Sequence, residues 1–156
     1  MNRVKFEKIK RQEKIKIPFM LDFYPLQDEK NTKISQFFNS LREGHLTTTK
    51  CKKCGKLLWP PRIVCPECLS ESLEWVDLGA EGKLYAFTEV RLGAPLGFVE
   101  DAPFCVGIVE IGGLLISTRI DDVKYEDLKI GDNVRLKIVE LPDGRVFYRF
   151  FKATEE

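Results

Sequence analysis

The chain has 156 residues, 44% of them hydrophobic and 11% aromatic, enough apolar mass for one mid-sized domain or two small ones. Its 25 Lys and Arg nearly cancel its 24 Asp and Glu, and this balance argues against a dedicated nucleic-acid binder, which carries a basic excess. No apolar run approaches the ~18 residues of a membrane span, and Met1-Asn2-Arg3-Val4-Lys5 does not open a secretory leader; a cytoplasmic protein with reduced cysteines is expected.

Residues 1–45 read as an N-terminal extension that ends in a short amphipathic helix. Arg3, Lys5, Lys8, Lys10, Arg11, Lys14 and Lys16 form a basic run diluted by Glu7 and Glu13, read most simply as a solvated tail. Pro18 and Pro25 forbid helix between them, so Ile17–Pro25 is expected to be extended. Ile34, Phe37, Phe38 and Leu41 then fall at i, i+3, i+4 and i+7 of one helical face. Asn31 or Thr32 can cap that helix and Gly44 ends it. His45, the only histidine, is expected on the surface just beyond.

Residues 46–77 hold the strongest signal. Cys51-Lys52-Lys53-Cys54 is followed, ten residues on, by Cys65-Pro66-Glu67-Cys68. Each Cys-x-x-Cys turn brings two thiolates within reach of one ion, and two facing turns supply the sulfur tetrahedron of a structural zinc site. A disulfide pair suits a secreted chain better than this one; iron in the same four-sulfur site would make an electron carrier. The segment is too short to build its own hydrophobic core, so metal binding would supply its folding free energy. Gly55 suits the turn after the first pair, whereas Leu69 stands where glycine is favoured after the second. Lys56–Trp59 and Ser72–Asp77 read as the strands of a zinc ribbon. Cys105, inside an apolar run, reads as a small buried hydrophobe.

Residues 78–156 change texture. Five short β-rich runs, Gly82–Val90, Phe104–Ile111, Leu114–Ile120, Asn133–Leu141 and Arg145–Lys152, are punctuated by Gly112-Gly113 and Pro142-Asp143-Gly144. Tyr125–Leu128 reads as a helical turn. Five antiparallel strands of this size and spacing are those of an OB-fold barrel, with an SH3-like or split barrel as the alternative. The fold class expected is therefore mainly β: an N-terminal helical segment, a rubredoxin-like zinc ribbon and a C-terminal five-stranded OB-fold barrel.

Phe37-Phe38-x3-Arg42-Glu43-Gly44, Cys51-x2-Cys54-Gly55, Pro60-Pro61-Arg62, Cys65-Pro66-x-Cys68, Leu73-Glu74-Trp75 and Pro103 before a hydrophobic strand together resemble the zinc-ribbon plus OB-fold family associated with acyl-CoA enzymes, long catalogued as a domain of unknown function. The match runs from about residue 34 to about 152. The resemblance implies a non-catalytic acyl-CoA-binding and scaffold subunit. Its partners would be thiolase-like enzymes, such as acetoacetyl-CoA thiolase and hydroxymethylglutaryl-CoA synthase.

The residues agree with a protein that binds rather than reacts: a four-cysteine site leaves no ligand position for water, and no Gly-rich phosphate loop precedes a helix. CoA needs cations for its phosphates and an apolar channel for its arm. Arg62, Arg91, Arg119 and Arg149 are candidates for the first; Phe37, Phe38, Leu96 and Phe98 for the second. The rival is a single-stranded nucleic-acid-binding module, for which Tyr85, Phe87, Phe147, Tyr148, Phe150 and Phe151 would supply stacking surfaces beside Arg149.

Overall fold

Alternating β-branched and aromatic residues in the second half of the chain close a barrel. The computed structural model describes residues 4–8, 27–94, 101–142 and 144–153. In chain order they form β1 (Lys5–Lys8), α1 (Ser35–Arg42), β2 (Thr47–Cys51), β3 (Leu57–Leu58), β4 (Leu73–Asp77), β5 (Glu81–Val90), β6 (Phe104–Ile111), β7 (Leu114–Asp121), β8 (Asn133–Glu140) and β9 (Val146–Lys152). The extended reading of Ile17–Pro25 lies outside the described residues.

The barrel strands run in the order β8-β5-β6-β7-β9, and β9 pairs back onto β8. The β7–β9 contact is parallel, through Ile120 opposite Phe150 and Asp121 opposite Phe151; β5–β6, β6–β7, β5–β8 and β8–β9 are antiparallel. This closed order is the OB-fold, and among its five strands the part of β8 beyond residue 135 keeps an edge that no barrel strand covers on the β5 side. Alternation sends Leu84, Val109, Ile116, Ile120, Val134, Leu136, Ile138 and Phe150 inward, each no more than 2% exposed. Every such side chain contributes roughly 1.5–3 kcal/mol by leaving water. A single 3-10 turn, Tyr125–Asp127, bridges β7 and β8.

A second sheet, β3-β2-β4, carries the cysteines. Its central strand β2 was not expected from the sequence. Thr47, Thr48 and Thr49 are all buried, so no in–out alternation marks it. Thr48 Oγ1 donates to the Leu58 carbonyl, and Thr49 Oγ1 accepts the Arg62 N–H at 2.9 Å. These bonds make the burial of the Thr48 and Thr49 hydroxyls tolerable, whereas Thr47 Oγ1 is buried with no hydrogen-bond partner among the described residues.

The helix α1 joins the two sheets. Phe37, Phe38 and Leu41 turn inward as their spacing requires. The Phe37 ring lies 6.0 Å from Trp59 beside the ribbon and 6.4 Å from Tyr148 of β9, and Trp59 and Tyr148 are 5.6 Å apart, all edge-on. The helix end follows expectation: the His45 N–H reaches the Ser40 carbonyl at 2.8 Å and the Gly44 N–H the Leu41 carbonyl at 2.9 Å, the paired bonds of a Schellman motif. Its start differs. Neither Asn31 nor Thr32 caps α1; the residue before it is Ile34, with no side-chain cap. Asp28 takes the capping role one turn earlier, accepting the Lys30 N–H at 2.9 Å and the Asn31 N–H at 3.1 Å.

Gln27 ties this region to the barrel. Its Nε2 donates to the Val146 carbonyl at 2.7 Å, and its Oε1 accepts the Val146 N–H at 2.9 Å. The side-chain amide thus continues the ladder at the start of β9. Lastly β1 lies parallel to β8, Lys5 opposite Lys137 through Lys8 opposite Glu140.

Candidate metal centre

The two Cys-x-x-Cys turns meet at the end of the β2 sheet. Cys51 is the last residue of β2, opposite Leu73 of β4, and β3 returns after the first turn to pair with β2. The second turn is built the same way as the first. The Gly55 N–H reaches the Cys51 carbonyl at 2.8 Å and the Leu69 N–H the Cys65 carbonyl at 2.9 Å. The Cys51 N–H donates to the Lys56 carbonyl and the Cys65 N–H to that of Ser70, both at 2.9 Å. Two near-identical knuckles therefore face one another.

Their sulfurs converge. Cys51 Sγ is 3.6 Å from Cys68 Sγ, and Cys54 Sγ is 3.6 Å from Cys65 Sγ; all four lie within 4.8 Å of one another. Four thiolates ~2.3 Å from a central zinc stand about 3.8 Å apart, so this spacing fits a tetrahedral ion.

Backbone dipoles treat the pairs alike. The Cys54 and Lys53 N–H groups aimed at Cys51 hold its thiol down at about 6 against its burial. The Cys68 and Glu67 N–H groups lower Cys65 in the same way. At Cys54 the Lys56 N–H pulls down, but burial and the neighbouring sulfurs prevail and push the thiol up to about 12. Cys68 is likewise raised, by burial and by Cys51 and Cys65, against the Ser70 N–H. A cation resolves the crowding by removing the shared protons. Lys56 and Glu67 pair across the two knuckles.

Sulfur donors, tetrahedral spacing and four protein ligands define a closed zinc ribbon set against an OB-fold barrel. Residues 38–74 match the ChsH2 rubredoxin-like zinc ribbon domain, and residues 75–139 the ChsH2 C-terminal OB-fold domain. Among curated proteins, a DUF35 domain-containing scaffold protein of Methanocaldococcus jannaschii is 36% identical over 70% of this chain and 82% of its own length. The benzoylsuccinyl-CoA thiolase subunit BbsA of Thauera aromatica is 30% identical over 71% of this chain and 78% of its own. Among solved structures, the Ltp2-ChsH2(DUF35) aldolase shares the fold, with a TM-score of 0.67 at 23% identity over 77% of this chain and 94% of that one. The chain belongs to the DUF35 family of zinc-ribbon plus OB-fold proteins, and Cys51, Cys54, Cys65 and Cys68 are its structural zinc ligands.

The other residues singled out by sequence are scattered. Phe37 and Phe38 are each 6% exposed and pack in the core. Arg62 is exposed beside an open groove of about 380 Å³ lined by Thr32, Lys33, Ile34, Pro61, Ile63 and Val64. Arg91 pairs with Glu89. Arg119 lines a different groove, of about 740 Å³. It is held by Asp101 at 2.6 Å and Asp121 at 3.1 Å, with its guanidinium over the Phe104 ring. Arg149 pairs with Asp121 at 3.0 Å. Leu96 and Phe98 lie outside the described residues. His45 is exposed, with Nδ1 2.7 Å from the Asp77 carboxylate. Cys105 is 3% exposed, and burial pushes its thiol up.

The candidate stacking face is largely covered. Phe150 is fully buried, Tyr148 packs on Phe37 and Trp59, Arg149 covers Phe147 and Lys5 covers Phe151. Of that set Tyr85, at 55%, is the one large exposed ring among the described residues. One ring does not make the interleaved aromatic and basic surface that single strands require. No described helix is long and apolar enough to cross a membrane.

Proposed function

We propose that this chain is a non-catalytic scaffold subunit of thiolase-like enzymes that helps to hold an acyl-CoA. The observation that carries the reading is its likeness, across zinc ribbon and barrel together, to proteins named as DUF35 scaffolds and to a benzoylsuccinyl-CoA thiolase subunit. The chemistry supports it. The zinc ligands are complete without water, and the single histidine is engaged with Asp77. An acetoacetyl-CoA thiolase and a hydroxymethylglutaryl-CoA synthase are the partners proposed.

Within that reading Arg62 is the better placed of the candidate arginines for a CoA phosphate. Its guanidinium has no acidic partner among the described residues, and Ile34, Pro61 and Ile63 offer an apolar wall beside it. Arg91 and Arg119 already serve carboxylates.

Purification of the tagged chain from native extract tests the scaffold role: thiolase-like subunits should co-elute in fixed ratio. Isothermal titration with acetyl-CoA, on the chain alone and on the complex, tests the ligand, and Arg62→Glu should weaken it. Thioester turnover by the isolated chain, or tight binding of single-stranded oligonucleotides with a steep salt slope, would overturn the reading.

A further inference from the structure

The strand β1 is attached to the barrel in an unusual way. All four of its residues are exposed, so almost no apolar burial holds it. The Phe6 ring, 54% exposed, merely rests against Gly44. What holds β1 is its parallel pairing with residues 137–140 of β8, a line of ion pairs (Lys5 with Asp122, Glu7 with Lys137, and Lys8 with Glu140 at 3.2 Å), the Lys5 ammonium over the Phe151 ring and, just before the strand, half-buried Val4 against the core.

The receiving surface is built more firmly. Lys137 is only 2% exposed, and Asp121 at 3.2 Å and Asp122 at 3.3 Å also neutralise it. Asp122 sits at φ 58°, a strained conformation for a residue with a side chain, and its carboxylate meets both Lys5 and Lys137. Asp121 is fixed in turn by Arg119 and Arg149. On the side of β8 away from β9, β5 pairs with residues 133–135 and stops. The backbone edge beyond that point is what β1 covers.

We propose that this β8 edge is a strand-addition site at which β1 is a resident but displaceable occupant. The partner it fits is an extended segment of the catalytic subunit. That segment carries a cation to meet Asp122 and, two residues later, an acid to meet Lys137, the spacing of Lys5 and Glu7. Backbone pairing supplies affinity and the two charges supply register. The identity of the partner rests on the scaffold reading; the displaceable strand does not, and its test needs no enzyme.

Hydrogen exchange on the full-length, zinc-loaded chain supplies the first arm. Exposed ion pairs weaken with salt. In about 1 M NaCl the amides of Lys5–Lys8 and Lys137–Glu140 that point across the β1–β8 pairing should exchange roughly tenfold faster than in low salt, while the alternate β8 amides turned to β9 and those of β6 stay unchanged. Equal protection in both conditions would overturn the proposal. The second arm uses full-length Lys5→Glu, in which like charge against Asp122 frees the strand. A labelled peptide spanning residues 1–10 should bind this variant. The same peptide with Lys5 and Glu7 exchanged should bind at least about tenfold more weakly. Binding of neither peptide, or equal binding of both, sinks the strand-addition site.

Discussion

Leu69 holds, at φ 56°, the same station after its knuckle that Gly55 holds at φ 74° after the other. Each donates its N–H to the first cysteine carbonyl of its own turn. The metal centre thus demands a left-handed residue at both places, and one of them is a leucine. Its side chain, 77% exposed, recovers little by burial. A side chain in this region costs about 1–2 kcal/mol. Leu69→Gly should therefore stabilise the zinc-loaded ribbon by about 1 kcal/mol, read as slower zinc transfer to a competing chelator. Gly55→Leu should do the reverse.

Removing zinc should unfold one part of the molecule and spare another. The β3-β2-β4 sheet has Leu58 and two of the cysteines as its own buried cluster, too little to stand alone, while the barrel has a complete interior. Chelation, or Cys65→Ser, should abolish protection of β2–β4 amides while β5–β9 amides keep theirs. Simultaneous loss of both would show that the barrel depends on the metal too.

Gln27 satisfies both backbone groups of Val146 inside the protein. Gln27→Leu leaves that N–H and carbonyl buried without partners, and each unsatisfied group costs about 1–3 kcal/mol. A loss of roughly 2–4 kcal/mol in urea unfolding is expected. Gln27→Glu should fall between, because a carboxylate accepts the Val146 N–H but donates nothing to its carbonyl.

Acid should act through Asp132. Burial raises its carboxyl, but the Lys152 ammonium at 2.8 Å and the Lys129 N–H outweigh that and hold it below its ordinary 3.8. A carboxylate depressed in the folded state contributes stability that is present above its unfolded value and lost as pH falls through the folded one. Asp132→Asn should cost about 1 kcal/mol at neutral pH. The gap between wild type and variant should close below about pH 4. A gap that persists at low pH would mean the bond, not the charge, matters.

The barrel was legible almost to the residue because its strands are β-rich runs punctuated by turn residues such as Gly112-Gly113, most with one face in the core and one outside; β8 is buried on both faces from Leu136 to Val139. The zinc ligands were legible from spacing alone. What the sequence hid has a common physical cause, the burial of polar groups by distant partners. Three consecutive buried threonines show no alternation, so no hydrophobic period marks β2; only their β-branching points to a strand. The basic run that reads as a solvated tail includes Lys5 and Lys8, yet both find acids more than a hundred residues away. Gln27 carries no pattern at all. The paired Phe residues that suggested an apolar channel wall are the hinge of the aromatic cluster instead, as an amphipathic stripe ordinarily is.

That cluster has a practical consequence. Trp59 and Trp75 are the only two tryptophans in the chain, and both belong to the cysteine-bearing module; the barrel has tyrosine and phenylalanine but no indole. Trp59 is wedged edge-on against a barrel tyrosine. Indole emission is therefore a built-in optical gauge of metal occupancy. With excitation beyond tyrosine absorption, a red shift on zinc loss would register the ribbon letting go of the barrel, free of any signal from the barrel itself.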